Sequence, residues 1–398
     1  MKIPMAEGTW QSHKAVLGMK TSTPCQEFTD ALNWSKQSTG NTTFPVAAYL
    51  TKHLGSSITW TQDAVHSFGI AAIRLRNIVI AASAFTLGTA IVCEAGASEV
   101  YMLANNGGAN QVWAYSGSGT SWSPITGTNT TTSKIAAAGA QLFQIANNGG
   151  VNQVWAYSGS GTNWSPITGT NTSLTSITGD SDPTSGAGHL FMIGTNSGPN
   201  LVWQYNGSGT NWSALTGANT SIALLAEASG VPYMVGTNGG PDQLWRYTGS
   251  GTNWTPITGT NTKVSQVVGT HGMVYMLATN GGPSQVWRYT GSGTNWTAIT
   301  GTNTTVSTIA ASNGHLYMLG TNGGPSQVWQ YAGSGTNWTA ITGTNTRVAW
   351  ITASGQHVYA EANNGGSNQL WQYSGSGTNW TAITGSNTNV SEVVETSP

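Results

Sequence analysis

One segment, recurring at a fixed spacing, limits the folds open to this chain more than any other feature. The copy from Gln327 to Gly343 reads QVWQYAGSGTNWTAITG. Near-copies carry the tryptophan pairs Trp113/Trp122, Trp155/Trp164, Trp203/Trp212, Trp245/Trp254, Trp287/Trp296, Trp329/Trp338 and Trp371/Trp380. Successive first tryptophans stand 42 residues apart, except for a 48-residue step between Trp155 and Trp203 that fits an insertion at Gly179 to Gly188. A period of this length marks a repeat architecture, in which each unit is too small to bury its own apolar face and must stack on neighbours. Ser98 to Pro398 spans 301 residues, or seven units plus the insertion.

Turn chemistry cuts the unit into strands. In one copy Val306 to Ser312 is an apolar run rich in small side chains, and Asn313-Gly314 is a tight hairpin signal. His315 to Leu319 forms a second strand, followed by a Gly/Pro turn from Thr321 to Ser326. Gln327 to Tyr331 and Trp338 to Thr342 supply the third and fourth strands, separated by the loop GSGTN. Four short antiparallel strands per unit describe a propeller blade. Small residues such as Ala136, Ala137, Gly269, Ala310 and Ala311 suit a crowded innermost strand. The first unit opens on Glu99 to Leu103, a second strand with no first strand before it, and Val390 to Glu395 is a first strand with no blade after it. The expectation is an all-β, seven-bladed β-propeller over residues 98–398, with about 42 residues per repeat, closed by the C-terminal strand so that no sheet edge is left free.

Charge excludes several functions. Only 6% of the chain is charged, and the repeats hold five basic and eight acidic side chains. No basic stripe exists to neutralise phosphates, so nucleic acid is not an expected partner. Both cysteines, Cys25 and Cys93, precede the repeats, which rules out a disulfide framework within them.

Residues 1–72 show no period and receive no assignment. Arg74 and Arg76 precede an apolar run from Ile78 to Val92, followed by Ala95-Gly96-Ala97. A basic flank, an apolar core and small residues before the cut describe a secretory signal over 73–97, cleaved after Ala97. The same run reads alternatively as a buried strand or an anchor. The signal reading makes the upstream residues an over-extended reading frame and the processed protein secreted, with no membrane insertion after processing.

The pattern Gly335-x-x-Trp338-x-x-Ile341-x-Gly343, preceded by Val328-Trp329, resembles the tectonin repeat. The resemblance covers all seven units. It implies a β-propeller, and for several members of that family a lectin with sites at or between blades. The residues themselves suit a neutral glycan, which needs flat aromatic faces and a few aimed donors and acceptors. The candidate sets are Asn148, Gln153, Trp155, Asn163 and Trp164; Asn238, Gln243, Trp245, Asn253 and Trp254; Asn280, Gln285, Trp287, Asn295 and Trp296; Asn322, Gln327, Trp329, Asn337 and Trp338; and Asn364, Gln369, Trp371, Asn379 and Trp380. The tryptophans would equally serve packing between blades, Gln327 would equally satisfy buried backbone, and the turns TNGGPSQ, GTNT and GSGTN are the preferred places for ligand. Catalysis has little support. His189, His315 and His357 share one repeat position, Asp180 and Asp182 sit in the insertion, and Glu227, Glu361, Glu392 and Glu395 occur singly. The unit carrying Arg347, Trp350, His357 and Glu361 departs most from the pattern. No cofactor or metal motif is present, and a multivalent glycan-binding protein without chemistry is the expected function, with a structural or protein-interaction propeller as the alternative.

Overall fold

The computed structural model describes residues 98–397, apart from 106–109, 149, 180–187, 197–198, 239–241, 281, 323, 364–367 and 387, together with four upstream strands. Those strands are Thr59–Thr61, Ile70–Leu75, Ile78–Ser83 and Cys93–Glu94, which pair in that order into one antiparallel sheet. The chain divides into two compact units, Met1–Ala97 and Ser98–Pro398. Part of the expected leader therefore runs as strand. Residues 84–92 and the cleavage point at Ala97 lie outside the described residues, as do Asp180 and Asp182 of the insertion.

Residues 98–397 form seven four-stranded antiparallel sheets, each a blade. In blade 6 the strands are Thr304–Ser312, His315–Asn322, Gln327–Tyr331 and Trp338–Ala340, from innermost to outermost. Blades 2 to 7 repeat this order from Thr131 to Ala382. Blade 1 joins the two ends of the chain. The C-terminal strand Asn389–Glu395 pairs with Val100–Asn105, which continues to Gln111–Tyr115 and Trp122–Pro124. The ring is thus closed by the expected strand.

The second strand is longer than its turn signals suggest. Thr321 and Asn322, expected in the turn, extend it and pair with Thr305 and Thr304. The extension exists because the innermost strand bulges between Val306 and Thr308 and then resumes pairing. The bulge recurs in all seven blades. The extra residue is often a hydroxyl side chain that bonds a second-strand carbonyl, as Ser307 Oγ does to Leu319 O at 3.0 Å and Ser391 Oγ to Leu103 O at 3.0 Å. A hydroxyl there anchors the residue left unpaired in the ladder.

Small side chains on the innermost strands answer a steric demand. A Cβ at Gly269 would lie 2.0 Å from Ala228 Cβ of the preceding blade, so only glycine fits. Outward from this ring the core is made between blades. Val274, Met276 and Ala278 of blade 5 pack with Tyr233, Leu244 and Ile257 of blade 4, and Trp287, Tyr289 and Trp296 of blade 5 cover the same cluster.

Two carboxylates clip the closing strand to its neighbours. Glu392 accepts the Ile135 N–H at 2.7 Å and pairs with Lys134 at 3.1 Å, both in blade 2. Glu395 is fully buried. Its Oε2 accepts the Tyr359 hydroxyl and the Gln356 N–H, each at 3.2 Å, and lies 3.0 Å from His357 Nδ1 of blade 7. Burial together with the adjacent Glu395 charge raises the Tyr359 phenol well above its ordinary value. Burial likewise pushes Tyr317 up to about 12.

Two outcomes test this description. Glu395→Ala removes the acceptor that the Tyr359 hydroxyl and the Gln356 N–H share, and should cost about 3 kcal/mol. Glu392→Ala, partly exposed, should cost about 1 kcal/mol; denaturant midpoints compare the two. Unfolded tyrosine ionises near about pH 10, so phenols raised by folding stabilise fully below that pH. Their contribution is lost as pH climbs through about 12, the Tyr317 value. An alkaline titration should show unfolding and tyrosinate absorbance rising together in that window.

Candidate functional site

The third and fourth strands of each blade carry the recurring residues, and blade 7 shows how they are held. Tyr373 pairs with Trp380 and Trp371 with Ala382 across the two strands. Alternation then puts Trp371, Tyr373 and Trp380 on one face, turned toward blade 6. The Tyr373 and Trp380 rings are tilted, with centroids 5.1 Å apart. Trp371 Nε1 donates to Ala362 O of its own blade at 3.0 Å, whereas Trp380 Nε1 donates to Ile341 O of blade 6 at 2.7 Å.

The second of these bonds is a clamp between blades, and it is made seven times. Trp122, Trp164, Trp212, Trp254, Trp296, Trp338 and Trp380 donate to the carbonyls of Ile383, Ile125, Ile167, Leu215, Ile257, Ile299 and Ile341 at 2.6–2.7 Å. First tryptophans, Trp155, Trp245, Trp287 and Trp329 among them, bond within their own blades at 3.0–3.2 Å. Every one of these indoles remains half-buried.

Glutamine is held inside the blade. Gln153, Gln243, Gln285, Gln327 and Gln369 donate through Nε2 to the carbonyls of Thr168, Thr258, Thr300, Thr342 and Thr384 at 2.5–2.8 Å. The hydroxyl of the same threonine accepts the next backbone N–H, as Thr342 Oγ1 does from Val328 at 2.9 Å. These bonds satisfy backbone groups where the outer strand ends, since each such threonine is buried.

The GSGTN loop is equally self-contained. Gly333 and Gly335 take φ of +87° and +57°, conformations that a side chain would strain. The Tyr331 hydroxyl donates to Gly335 O at 3.1 Å, and the Ala332 N–H to Asn337 O at 3.0 Å. The side chains of Asn163, Asn253, Asn295, Asn337 and Asn379 are exposed, as are those of Asn148, Asn280 and Asn322 in the opposite turns. Asn322 Oδ1 accepts from Thr304 Oγ1 at 3.3 Å. Asn238 ends its strand, with its side chain outside the described residues, and Asn364 lies outside them altogether.

What the fold brings together is the tryptophan pair. A cleft of about 90 Å³ between blades 6 and 7 is lined by Trp371, Trp380 and Thr378 of blade 7 and by Gly343 and Thr346 of the crossover from blade 6. A cleft of about 330 Å³ between blades 7 and 1 is lined by the equivalent residues Trp113, Trp122 and Thr120, with Gly385 and Thr388 from the crossover. Among the described residues, neither lining includes a charged side chain. The asparagines and glutamines of the candidate sets do not line either cleft. Trp113 and Trp122, outside those sets, are full members, and so are the threonines Thr120, Thr346, Thr378 and Thr388. Their signal is the threonine that ends the GTNT-type crossover and the threonine two residues before the second tryptophan, which recur as regularly as the tryptophans.

Among the described residues, the titratable side chains singled out in the sequence are distributed over several blades. His357 contacts Glu395 at 3.0 Å, whereas His315 Nδ1 lies 3.1 Å from Gln330 Nε2. His189 stacks on Phe191 with centroids 6.2 Å apart. Glu227 binds the Gly230 N–H of its own hairpin turn. Glu361 pairs in register with Trp350 at the far end of its strand from His357; burial raises its carboxyl, and a hydrogen bond from Trp350 partly offsets the rise. Among the described residues no three metal-ligating side chains gather.

No family model and no curated protein sequence matches this chain, so the likeness to the tectonin repeat rests on the motif alone. Solved structures share the fold. A puromycin hydrolase matches with a TM-score of 0.56 at 11% identity, over 75% of this chain and 53% of that one. A puromycin-hydrolyzing peptidase of Mycobacterium tuberculosis matches with a TM-score of 0.52 at 11% identity, over 70% of this chain and 49% of that one. This chain therefore spans about half the length of these two proteins. The β-propeller domain of the Trilobed protease from Pyrococcus furiosus, with open velcro topology, matches with a TM-score of 0.50 at 10% identity, over 80% of this chain and 93% of that domain. At such identities the likeness is one of fold.

A scaffold role and a cleft role for tryptophan separate by substitution. Trp380→Phe keeps an aromatic ring but orphans the Ile341 carbonyl, and should cost about 1–3 kcal/mol in unfolding experiments. Asn379→Ala, on an exposed side chain, should stay within about 0.5 kcal/mol.

Proposed function

We propose that this protein is a multivalent lectin, binding neutral glycans in clefts between its blades and carrying out no chemistry. The observation that carries this reading is the pair of equivalent clefts, each walled by two half-buried indoles and rimmed by threonine hydroxyls and crossover backbone. With their N–H groups already bonded, the indoles offer ring faces, and a pyranose presents C–H groups to such a face while its hydroxyls reach the rim. Absence of charge from the cleft linings matches a neutral ligand. Several sites on one rigid ring engaging a single glycosylated surface raise avidity by roughly 10²–10⁴, so weak individual sites suffice. Such a protein works outside the cell, in keeping with a leader over residues 73–97.

The second reading, a structural or protein-interaction propeller, draws on the bonds that tie each tryptophan and glutamine into the scaffold. A glycan array followed by calorimetry on the Ser98–Pro398 unit separates the two. The lectin reading expects several equivalents of a neutral saccharide per chain, with intrinsic fluorescence changing on binding because indoles wall the sites. Absence of binding at millimolar saccharide would leave the interaction propeller.

A further inference from the structure

We infer that a cavity on the hairpin-turn face, around the tip of blade 6, is a second binding site, for a saccharide unit bearing a carboxylate. The cavity holds about 610 Å³ and is shared by blades 5, 6 and 7. Both clefts described above are smaller, and none of the four tryptophans in their walls borders it.

Its wall contains one full cation. Arg288 of blade 5 is half-buried there, and among the described residues no aspartate or glutamate lines the cavity. The chain has only 12 lysines and arginines in 398 residues, so a guanidinium set in a cavity wall without a counter-charge calls for a ligand that supplies one. The equivalent Arg246 of blade 4 shows the contrast. It is exposed, hydrogen-bonds Tyr233 of its own blade, and does not line this cavity. Arg288 also lies close enough to the Tyr275 phenol to offset part of the rise that burial imposes on it.

The remaining wall suits a hydroxyl-rich ring. Tyr331 and Tyr373, both largely buried, border the space with their hydroxyls already committed to Gly335 O and Gly377 O at 3.1 Å. Gln330 and His315, 3.1 Å apart, add hydrogen-bonding groups at one edge. A Cβ built at Gly333 or Gly375 meets nothing within 4 Å, so the floor beside these loops is open. A planar fork of N–H groups pairs with a carboxylate through two parallel bonds. A phosphate dianion would leave one charge uncompensated by this single guanidinium. The volume falls within the roughly 300–1,000 Å³ common for small-ligand sites. The inference stands apart from the cleft reading, since Thr378 alone lines both this cavity and the cleft between blades 6 and 7, and the ligand charge differs.

The test is calorimetry of the full chain with methyl β-glucuronide and methyl β-glucoside, a pair that differs only in carboxylate against hydroxymethyl, with inorganic phosphate as competitor. The glucuronide should bind at one equivalent per chain, at least tenfold more weakly to Arg288→Gln, with an intermediate loss in Arg288→Lys, which keeps the charge but not the fork. Equal melting temperatures of wild type and variants would show that the scaffold is intact. Glucuronide binding unchanged by Arg288→Gln, binding no tighter than that of the glucoside, or equal displacement by phosphate would each overturn the assignment. Failure of every neutral saccharide on the array, with glucuronide binding retained, would remove the cleft reading and leave this one standing.

Discussion

Seven hydrogen bonds of 2.6–2.7 Å, each from an outer-strand indole to a carbonyl of the preceding blade, fix the geometry on which everything else rests. A blade of four short strands, the outermost only three residues long, cannot bury its faces alone. It needs a neighbour at a set distance and tilt. Packing of Trp, Tyr and Trp against the preceding blade supplies the attraction, which is non-directional. The indole N–H supplies direction, because it reaches its carbonyl in one orientation. With almost no charge available to steer blades together, a repeated directional bond between blades takes the place that ion pairs hold elsewhere.

The same indoles remain half-buried, and this joins scaffold to function. A side chain whose polar atom is committed and whose ring edge is packed has lost its rotamer freedom before any ligand arrives. Ordering costs on binding are correspondingly small. Where the sequence breaks its own repetition, the structure breaks its symmetry. Glu392 and Glu395 lock the closing strand, and Arg288 with His315 gives one region of the hairpin-turn face a chemistry absent from the clefts.

The fold was legible because repetition and turn chemistry act locally. Asn313-Gly314 reads as a two-residue hairpin, and it adopts one with φ of +46° and +76°. The orphan strand Val390 to Glu395 announced closure for the same reason, since an unpaired edge is a deficit visible in a count. The division of labour among Trp, Gln and Asn was not legible. Recurrence marks a residue as necessary in every unit, and an indole donating to the next blade recurs as faithfully as one touching a ligand. Gln327 and Asn337 look alike in the motif, yet the first is bonded to Thr342 inside the blade and the second is exposed. The second strand was cut short because the bulge that lets Thr321 and Asn322 keep pairing has no letter of its own. The cavity at Arg288 joins residues from three units, and no single period contains it.

The clamp has a direction. In six of its seven occurrences the donor lies 39 or 45 residues after its acceptor, so a chain emerging from the ribosome has already presented the carbonyl when the indole appears. Each new blade can then dock on a finished one, and near-identical units are matched by order of arrival, not by differences in sequence. That order matters in a protein whose blades are similar enough to dock in the wrong register. Trp122 is the exception. Its acceptor, Ile383, comes 261 residues later, which leaves blade 1 with an unsatisfied seam for nearly the whole of synthesis. The interval between the first blade and the last is therefore when the chain is most exposed to capture by a second copy of itself.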